Sequence, residues 1–352
     1  MESGKSNQRV RVGVIGTGSL GKEHARLYAE LATAGQCEFV GIYDSFADNA
    51  QRVADKLGVK IFPTIQGLAE AADAFSVVTP TITHHAIAKD LLSQGKHVLV
   101  EKPMTERADQ AAELVHLSQQ NKLILQVGHV ERFNPVFDYL QKAATQPKFI
   151  EAHRLSPYPA RSIDIGVVLD LMIHDLDVVL AFVNSRVVSV DAVGIPVLST
   201  TEDIANVRLR FENGCVANLT ASRISPERMR KIRVFSGGTT SSSYISLDYR
   251  AQQGFLYRLA RSDEQESSLL KKLLSANDST IVSEFAGKKI VREPVPIVKD
   301  EPLKLELQHF VSCVRERQQP RVSGESAKQA LDLALEITEQ ITRQGAKIPA
   351  GS

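Results

Sequence analysis

From Val10 to Gly21 the chain reads Val-Arg-Val-Gly-Val-Ile-Gly-Thr-Gly-Ser-Leu-Gly, an alternating apolar segment that runs straight into a Gly-x-Gly-x-x-Gly turn. No other stretch constrains the fold as much, because a strand ending in this turn and opening a helix is the first unit of a dinucleotide-binding sheet. Gly16 permits the tight turn, Gly18 lets the backbone approach a pyrophosphate, and Gly21 lets the helix pack closely on the strand. The pyrophosphate then rests on the helix's first amides. A second apolar segment, Cys37 to Asp44, ends in a carboxylate 44 − 21 = 23 residues beyond the last glycine. That is near the offset of about 20 at which an acid holds the adenosine ribose. Asp44 would repel a 2′-phosphate, so this reading selects NAD over NADP. The alternative for Asp44 is a turn or helix cap ahead of Ser45.

Strand and helix signals keep alternating to about residue 130. Further strands are predicted at 58–62, 73–79, 97–100 and 122–127, with helices at 20–33, 46–57, 84–94 and 107–120. Six parallel strands with right-handed crossovers make a doubly wound Rossmann sheet. Its ligand crevice lies beyond the strands' carboxyl ends, at Gly16, Asp44, Thr79-Pro80, Glu101-Lys102 and Gly128-His129. From about Phe149 the segments become longer and β-rich, at 148–155, 187–195, 204–211, 215–222, 231–236, 243–250, 254–259 and 289–298. Glu212-Asn213-Gly214 is a hairpin signal between two of them. This is the pattern of a large open, mostly antiparallel sheet in an α+β domain, covered on one face by a helix at 163–184. The Ser-, Lys- and Glu-rich stretch 262–288 reads as a mobile excursion, and helices follow at 301–317 and 324–343. The α/β chain thus divides into a nucleotide-binding domain, 1–128, and a substrate-binding and oligomerisation domain, 129–352. The last helices are placed to pack back on the first domain.

The charge balance excludes some partners. Lys plus Arg number 42 against 41 Asp plus Glu, so there is no overall basic field for nucleic acid or an anionic membrane. No apolar run approaches the roughly 20 residues that span a bilayer, and the first residues lack a signal core, which makes the cytoplasm the expected compartment. Cys37, Cys215 and Cys313 lie far apart, and neither Cys-x-x-Cys nor His-Glu-x-x-His occurs, so no disulfide framework and no metal site are expected.

Four groups of residues can carry chemistry. Glu101-Lys102-Pro103 closes a strand at the crevice, where proline holds Lys102 extended so that its ammonium can meet a substrate oxygen. A solvated lysine at a strand end is the plain alternative. Asp170 and His174 are four apart, on one helix face, where a carboxylate can orient an imidazole and raise its basicity for general-base work; a structural ion pair or a core histidine is the competing reading. In Gly128-His129-Val-Glu-Arg132-Phe-Asn134-Pro135, Arg132 could bind phosphate and Asn134 a sugar hydroxyl, or the segment could be an interdomain hinge. Arg154, Tyr158 and Arg161 lie just ahead of the Asp170 helix and suit a diphosphate, or form a solvated loop.

Taken in order, Gly-x-Gly-x-x-Gly-x-x-His24, Thr79-Pro-Thr-x-x-His84, Glu101-Lys102-Pro103 and Asp170-x-x-x-His174 closely resemble the glucose-fructose oxidoreductase / inositol dehydrogenase (Gfo/Idh/MocA) family over nearly the whole chain. The resemblance implies NAD(P)-dependent oxidation or reduction of a sugar or cyclitol carbon, and homodimers or homotetramers assembled through the large sheet. It also implies that Lys102, Asp170 and His174 are catalytic. The cofactor-binding set is then Gly16, Thr17, Gly18, Ser19, Leu20, Gly21, Asp44, Thr79, Pro80, Thr81, His84, Glu101 and Lys102. The substrate set is Lys102, Arg132, Asn134, Arg154, Tyr158, Arg161 and His174. The runs Gly-His-Val-Glu-Arg-Phe-Asn-Pro and Arg154-Leu-Ser-Pro-Tyr-Pro-Ala-Arg161 are similar to the bacterial branch that oxidises the 3-hydroxyl of UDP-N-acetylglucosamine on the way to an amide-linked lipid A. A single glycine, Gly166, stands where the family often has two or three. A free-sugar or inositol dehydrogenase with the same machinery is the alternative, and a non-catalytic NAD(H)-sensing protein is an alternative of another class.

Overall fold

The computed structural model describes residues 9–144, 146–158, 165–237, 242–260, 280–285 and 288–345. They belong to two compact units, one running Met1–Phe133 with Glu301–Asp332, the other Asn134–Asp300 with Leu333–Ser352. Among the described residues, no helix is long and apolar enough to cross a membrane.

In the first unit, β1 (Arg11–Ile15), β2 (Glu38–Tyr43), β3 (Ala74–Val77), β4 (His97–Glu101) and β5 (Leu125–Gly128) form a sheet of order β2-β1-β3-β4-β5. All its pairings are parallel. β3, β4 and β5 are buried at every position, which is why they read as unbroken apolar runs rather than as alternation. The crossovers are α1 (Gly21–Thr33), α2 (Ala47–Leu57), α3 (Ile65–Ala71), α4 (Thr81–Ser93) and α5 (Ala108–Gln120). Strand order reverses between β1 and β3, so their carboxyl ends flank the switch point where a ligand binds in such sheets.

The sheet has five strands rather than the expected six. At 58–62 only Ile61 bridges Ile42, and the chain then enters α3, capped by Thr64 accepting the Gly67 N–H at 3.0 Å. Gly58, left-handed at φ 66°, ends α2, and Pro63 has no N–H for a ladder, so too few residues lie between them to make a strand. The helix α8 (Pro302–Glu316) adds Leu307, Phe310, Val311 and Val314 to a core otherwise built from Val12, Val14, Leu27, Tyr28, Leu31 and Leu99. Phe310 is wholly enclosed. Phe310→Ala is expected to destabilise the protein by about 3–5 kcal/mol, read as a lower urea midpoint; an unchanged midpoint would mean that α8 is not part of this core.

The second unit opens with α6 (Pro135–Ala143) and carries β6 (Pro147–Leu155), β7 (Val187–Ile195), β8 (Ile204–Phe211), β9 (Val216–Ser222) and β10 (Met229–Gly237). β11 (Ser242–Asp248), β12 (Gln253–Leu259), β13 (Thr280–Phe285) and β14 (Lys288–Pro294) complete a nine-stranded sheet of order β13-β14-β12-β11-β10-β6-β9-β8-β7. Every pairing is antiparallel except β6 with β9. Every second residue is buried on β8 (Ala205, Val207, Leu209) and on β9 (Ala217, Leu219, Ala221), the period of a sheet with one face covered. A π-helical turn (Val168–Met172) and α7 (Ile173–Val183) pack on that face against β9 and β6. Phe149, Phe235, Tyr244 and Tyr257 run side by side across four strands, the ring centres of Phe235 and Tyr244 4.6 Å apart and those of Tyr244 and Tyr257 5.0 Å apart. The stretch expected to be a mobile excursion holds a strand at its end, β13; its residues up to 279 lie outside those described, as do 159–164 at the start of the expected 163–184 helix. α9 (Gly324–Gly345) is the last helix among the described residues.

Candidate active site

The glycine-rich turn behaves as its spacing requires. Gly16 has φ +91°, and a Cβ there would overlap the Val78 carbonyl oxygen; a Cβ on Gly21 would overlap the carbonyl of Gly16. Neither place admits a side chain. A Cβ on Gly18, by contrast, would meet nothing within 4 Å, so the outer side of the turn is open to a diphosphate. Gly18, Ser19 and Leu20 are exposed, and α1 starts with no side-chain cap at Leu20. A groove of about 460 Å³ continues from the turn between α1 and α2, lined by Lys22, Arg52 and Lys56 among others. The positive field that overall composition lacks is therefore present locally. These residues fit NAD.

Asp44 closes a turn at the end of β2 and does not cap α2, whose start has no side-chain cap. One oxygen accepts the Thr17 N–H at 2.6 Å and its hydroxyl at 2.7 Å, and the other accepts the Phe46 N–H at 2.8 Å. This fastens the glycine turn to the end of β2. A carboxylate offers about four acceptor positions, so one remains on the second oxygen for a ribose hydroxyl.

At the end of β4, Glu101 is buried and Lys102 half-buried, and the Lys102–Pro103 peptide is cis. Glu101 meets the His24 ring at 3.1 Å and accepts the Lys102 N–H at 3.2 Å. Burial alone would raise the Glu101 carboxyl, but His24 and the Lys102 ammonium and amide hold it below the ordinary range. Gly128 makes room for this acid, since a Cβ there would sit 2.6 Å from Glu101 Oε1. Thr79, Pro80 and Thr81 form the turn from β3 into α4, with Pro80 exposed and both threonines half-buried. His84 is enclosed, its ring nitrogens 3.0 Å from the Pro103 carbonyl and 2.8 Å from that of Thr79. It ties the Thr79 turn to the Lys102 segment. Burial keeps this imidazole below its usual pKa despite the carbonyls.

In the second unit Asp170 lies in the π-turn and His174 in the first turn of α7, both half-buried. Widened turns of this kind are rare and concentrate at functional sites. Arg154 is 3 % exposed and grips Asp175 with two bonds of 2.9 Å, which fixes α7 to β6. Asn134 caps α6 by accepting the Val136 N–H at 3.2 Å and donates to the Tyr249 carbonyl at 3.1 Å. In the first unit Arg132, also buried, donates to the Arg321 carbonyl at 3.2 Å. Through these bonds Arg154 ties α7 to β6, Asn134 ties the start of α6 to Tyr249, and Arg132 holds the Arg321 segment. Tyr158 is exposed, with the Arg223 guanidinium 5.9 Å from its ring centre, and Arg161 lies outside the described residues.

Sequence reasoning missed a second cluster beside the π-turn. Arg223 and Asp203 are wholly buried and joined at 2.8 Å. Arg223 also donates to the Ile165 carbonyl at 2.6 Å, while Asp203 accepts the N–H groups of Val197, Leu198 and Ser199. Burial would raise the Asp203 carboxyl, but Arg223 and these amides hold it well below the usual range. Glu202 lies on the same loop, and its Oε1 accepts the Val168 N–H at the start of the helix. The signal was strand phase: Arg223 continues the inward series Ala217, Leu219, Ala221, and Asp203 precedes Ala205, Val207, Leu209 in the same phase. A charge at an inward position needs a partner.

Comparison with known proteins agrees with this architecture. Residues 10–129 match the model of an oxidoreductase family with an NAD-binding Rossmann fold, and residues 141–240 match the GFO/IDH/MocA C-terminal domain. The chain is 32% identical over 329 residues to UDP-N-acetylglucosamine 3-dehydrogenase of Acidithiobacillus ferrooxidans, covering 93% of this chain and 96% of that one. A solved structure of that enzyme superposes with a TM-score of 0.82 over 94% of this chain and 97% of its own. The scyllo-inositol 2-dehydrogenase (NAD(+)) of Bacillus subtilis is 26% identical over 348 residues, 94% of this chain and 93% of the relative. With the glycine cradle, both domain models and full-length similarity in agreement, the chain belongs to the Gfo/Idh/MocA family of NAD-binding oxidoreductases.

Proposed function

We propose that this protein oxidises the 3-hydroxyl of UDP-N-acetylglucosamine to the 3-keto sugar with NAD. The observation that carries the substrate is the 32% identity, across nearly the full length of both chains, to an enzyme named for that reaction. NAD, when bound, supplies the hydride acceptor. His174 takes the hydroxyl proton, and Asp170 orients the imidazole and stabilises the positive charge it gains in doing so. Lys102 donates to the same oxygen and sharpens its acidity. His84 and Glu101, both buried, hold the turn and the lysine rather than the dinucleotide. Arg154 we reassign to fixing α7 through Asp175.

The product carries a ketone that an amination step can take up, consistent with the lipid A route that the resemblance implies. The aromatic row on β6, β10, β11 and β12 supports a homo-oligomer formed on that face, since Phe235 is 38% exposed and stacked rings are common interface anchors. Three buried free cysteines fit a reducing, cytoplasmic setting.

The test is to follow reduced nicotinamide while pure protein meets NAD or NADP with UDP-sugars and free polyols. Reduction with UDP-N-acetylglucosamine, stronger with NAD, is expected. Oxidation of inositols with inert UDP-sugars would favour the reading that the 26% identical inositol dehydrogenase supports. Tight NADH binding with no turnover would instead mark a sensor.

A further inference from the structure

We propose that Glu202 is a positioning residue for Asp170 and His174, an inference that rests on the roles proposed above for that pair. A helix's first amides have no partner inside the helix, and a side chain at its start ordinarily supplies one. Here that place is held by Val167, which has none to offer. Glu202, arriving from the β7–β8 connection, serves instead, and it does so twice. Its main-chain carbonyl accepts the Val167 N–H at 2.9 Å, and its Oε1 accepts the Val168 N–H at 3.2 Å.

The same few residues are held from the other side by Arg223, through the Ile165 carbonyl. Gly166 lies between the two grips, and a Cβ there would overlap the Glu202 carboxylate, so the single glycine is the space that the acid occupies. The Gly166 carbonyl in turn accepts the Asp170 N–H at 3.0 Å, which links the bracket directly to the residue that orients His174. π-turns are rare and occur mostly as single turns within α-helices, and here an outside acceptor at the first amides holds the turn that carries Asp170. The Glu202 carboxyl is 6% exposed and sits above the ordinary range. Burial is the main cause and Asp203 adds to it, offset in part by the Val168 amide and Arg223. An acid kept under such conditions has a task that an apolar side chain would not perform.

Glu202→Ala, Glu202→Gln, Glu202→Asp and His174→Ala are to be compared with wild type by kcat, by KM for NAD and for the sugar, and by urea midpoint. Misplacing a catalytic pair by about 1 Å costs up to about a hundredfold, so Glu202→Ala is expected to lower kcat by about tenfold or more with KM for NAD within about twofold. Glu202→Gln keeps the Oε1 acceptor and should recover to within about threefold of wild type. Should Glu202→Ala fail to fold, Glu202→Asp, whose carboxylate falls one methylene short of the Val168 amide, is expected to show the same kcat loss. Wild-type turnover in the alanine or aspartate variant while His174→Ala is inactive overturns the role of Glu202 and leaves the proposed function standing. A glutamine variant as impaired as the alanine one also overturns it. Wild-type turnover in His174→Ala overturns the base role proposed for His174, on which the inference rests, and leaves the sugar oxidation standing.

Discussion

His174→Ala is expected to lower turnover by about a hundredfold or more and to leave NADH affinity within about twofold of wild type, because general-base catalysis is worth about 10²–10⁴-fold. The split follows from where the residues are. The glycine cradle, Asp44 and the Thr79 turn all belong to the first unit, whereas the imidazole stands on α7 of the second. Lys102→Met should lower turnover in the same direction, its effect falling on the substrate oxygen. Stopped-flow reduction of NAD, with NADH binding followed by fluorescence, measures both quantities on one sample. Wild-type rates in His174→Ala and Lys102→Met together would remove these two residues from the chemistry and place the proton acceptor elsewhere.

Arg223→Met should destabilise the protein by about 3–5 kcal/mol, the cost of leaving one member of a buried ion pair without its partner. Asp203 is the member left behind, wholly buried like Arg223. In the wild type its carboxyl lies below the unfolded value, so its contribution is complete above about pH 4 and is lost only as pH falls further toward the folded value. Without Arg223, burial drives that carboxyl upward, and the proton it then takes up on acidification relieves the variant. The gap between the two urea midpoints should therefore be wide at pH 7 and narrower at pH 5. A gap that is constant with pH would mean that the loss is one of packing rather than of charge.

The first unit was legible because its signals are local. Gly16, Gly18 and Gly21 answer to steric demands of one turn, and four of the strands that follow are short apolar runs closed by polar residues at the crevice. The segment at 58–62 misled because its apolar content satisfies a strand pattern while Gly58 and Pro63 limit its length. In the second unit the strand segments were legible by alternation, but the fate of charged side chains was not. Arg154, next to a motif rich in polar residues, suggested an anion site. It shares the inward phase of Ile150 and Ala152, and its guanidinium finds Asp175 instead. Glu202 and Arg223 meet the start of the helix only through strand pairing, which brings residues 34 and 58 apart in sequence into contact. Spacing along the chain carries no trace of such a meeting.

The core around Val12, Leu27 and Leu31 is finished by α8, which the ribosome delivers only after the whole intervening β-sheet segment. A nascent chain therefore exposes the apolar side of its nucleotide half until that segment and α8 have been made. Its early strands wait, prone to aggregation, for a helix made only after the large sheet.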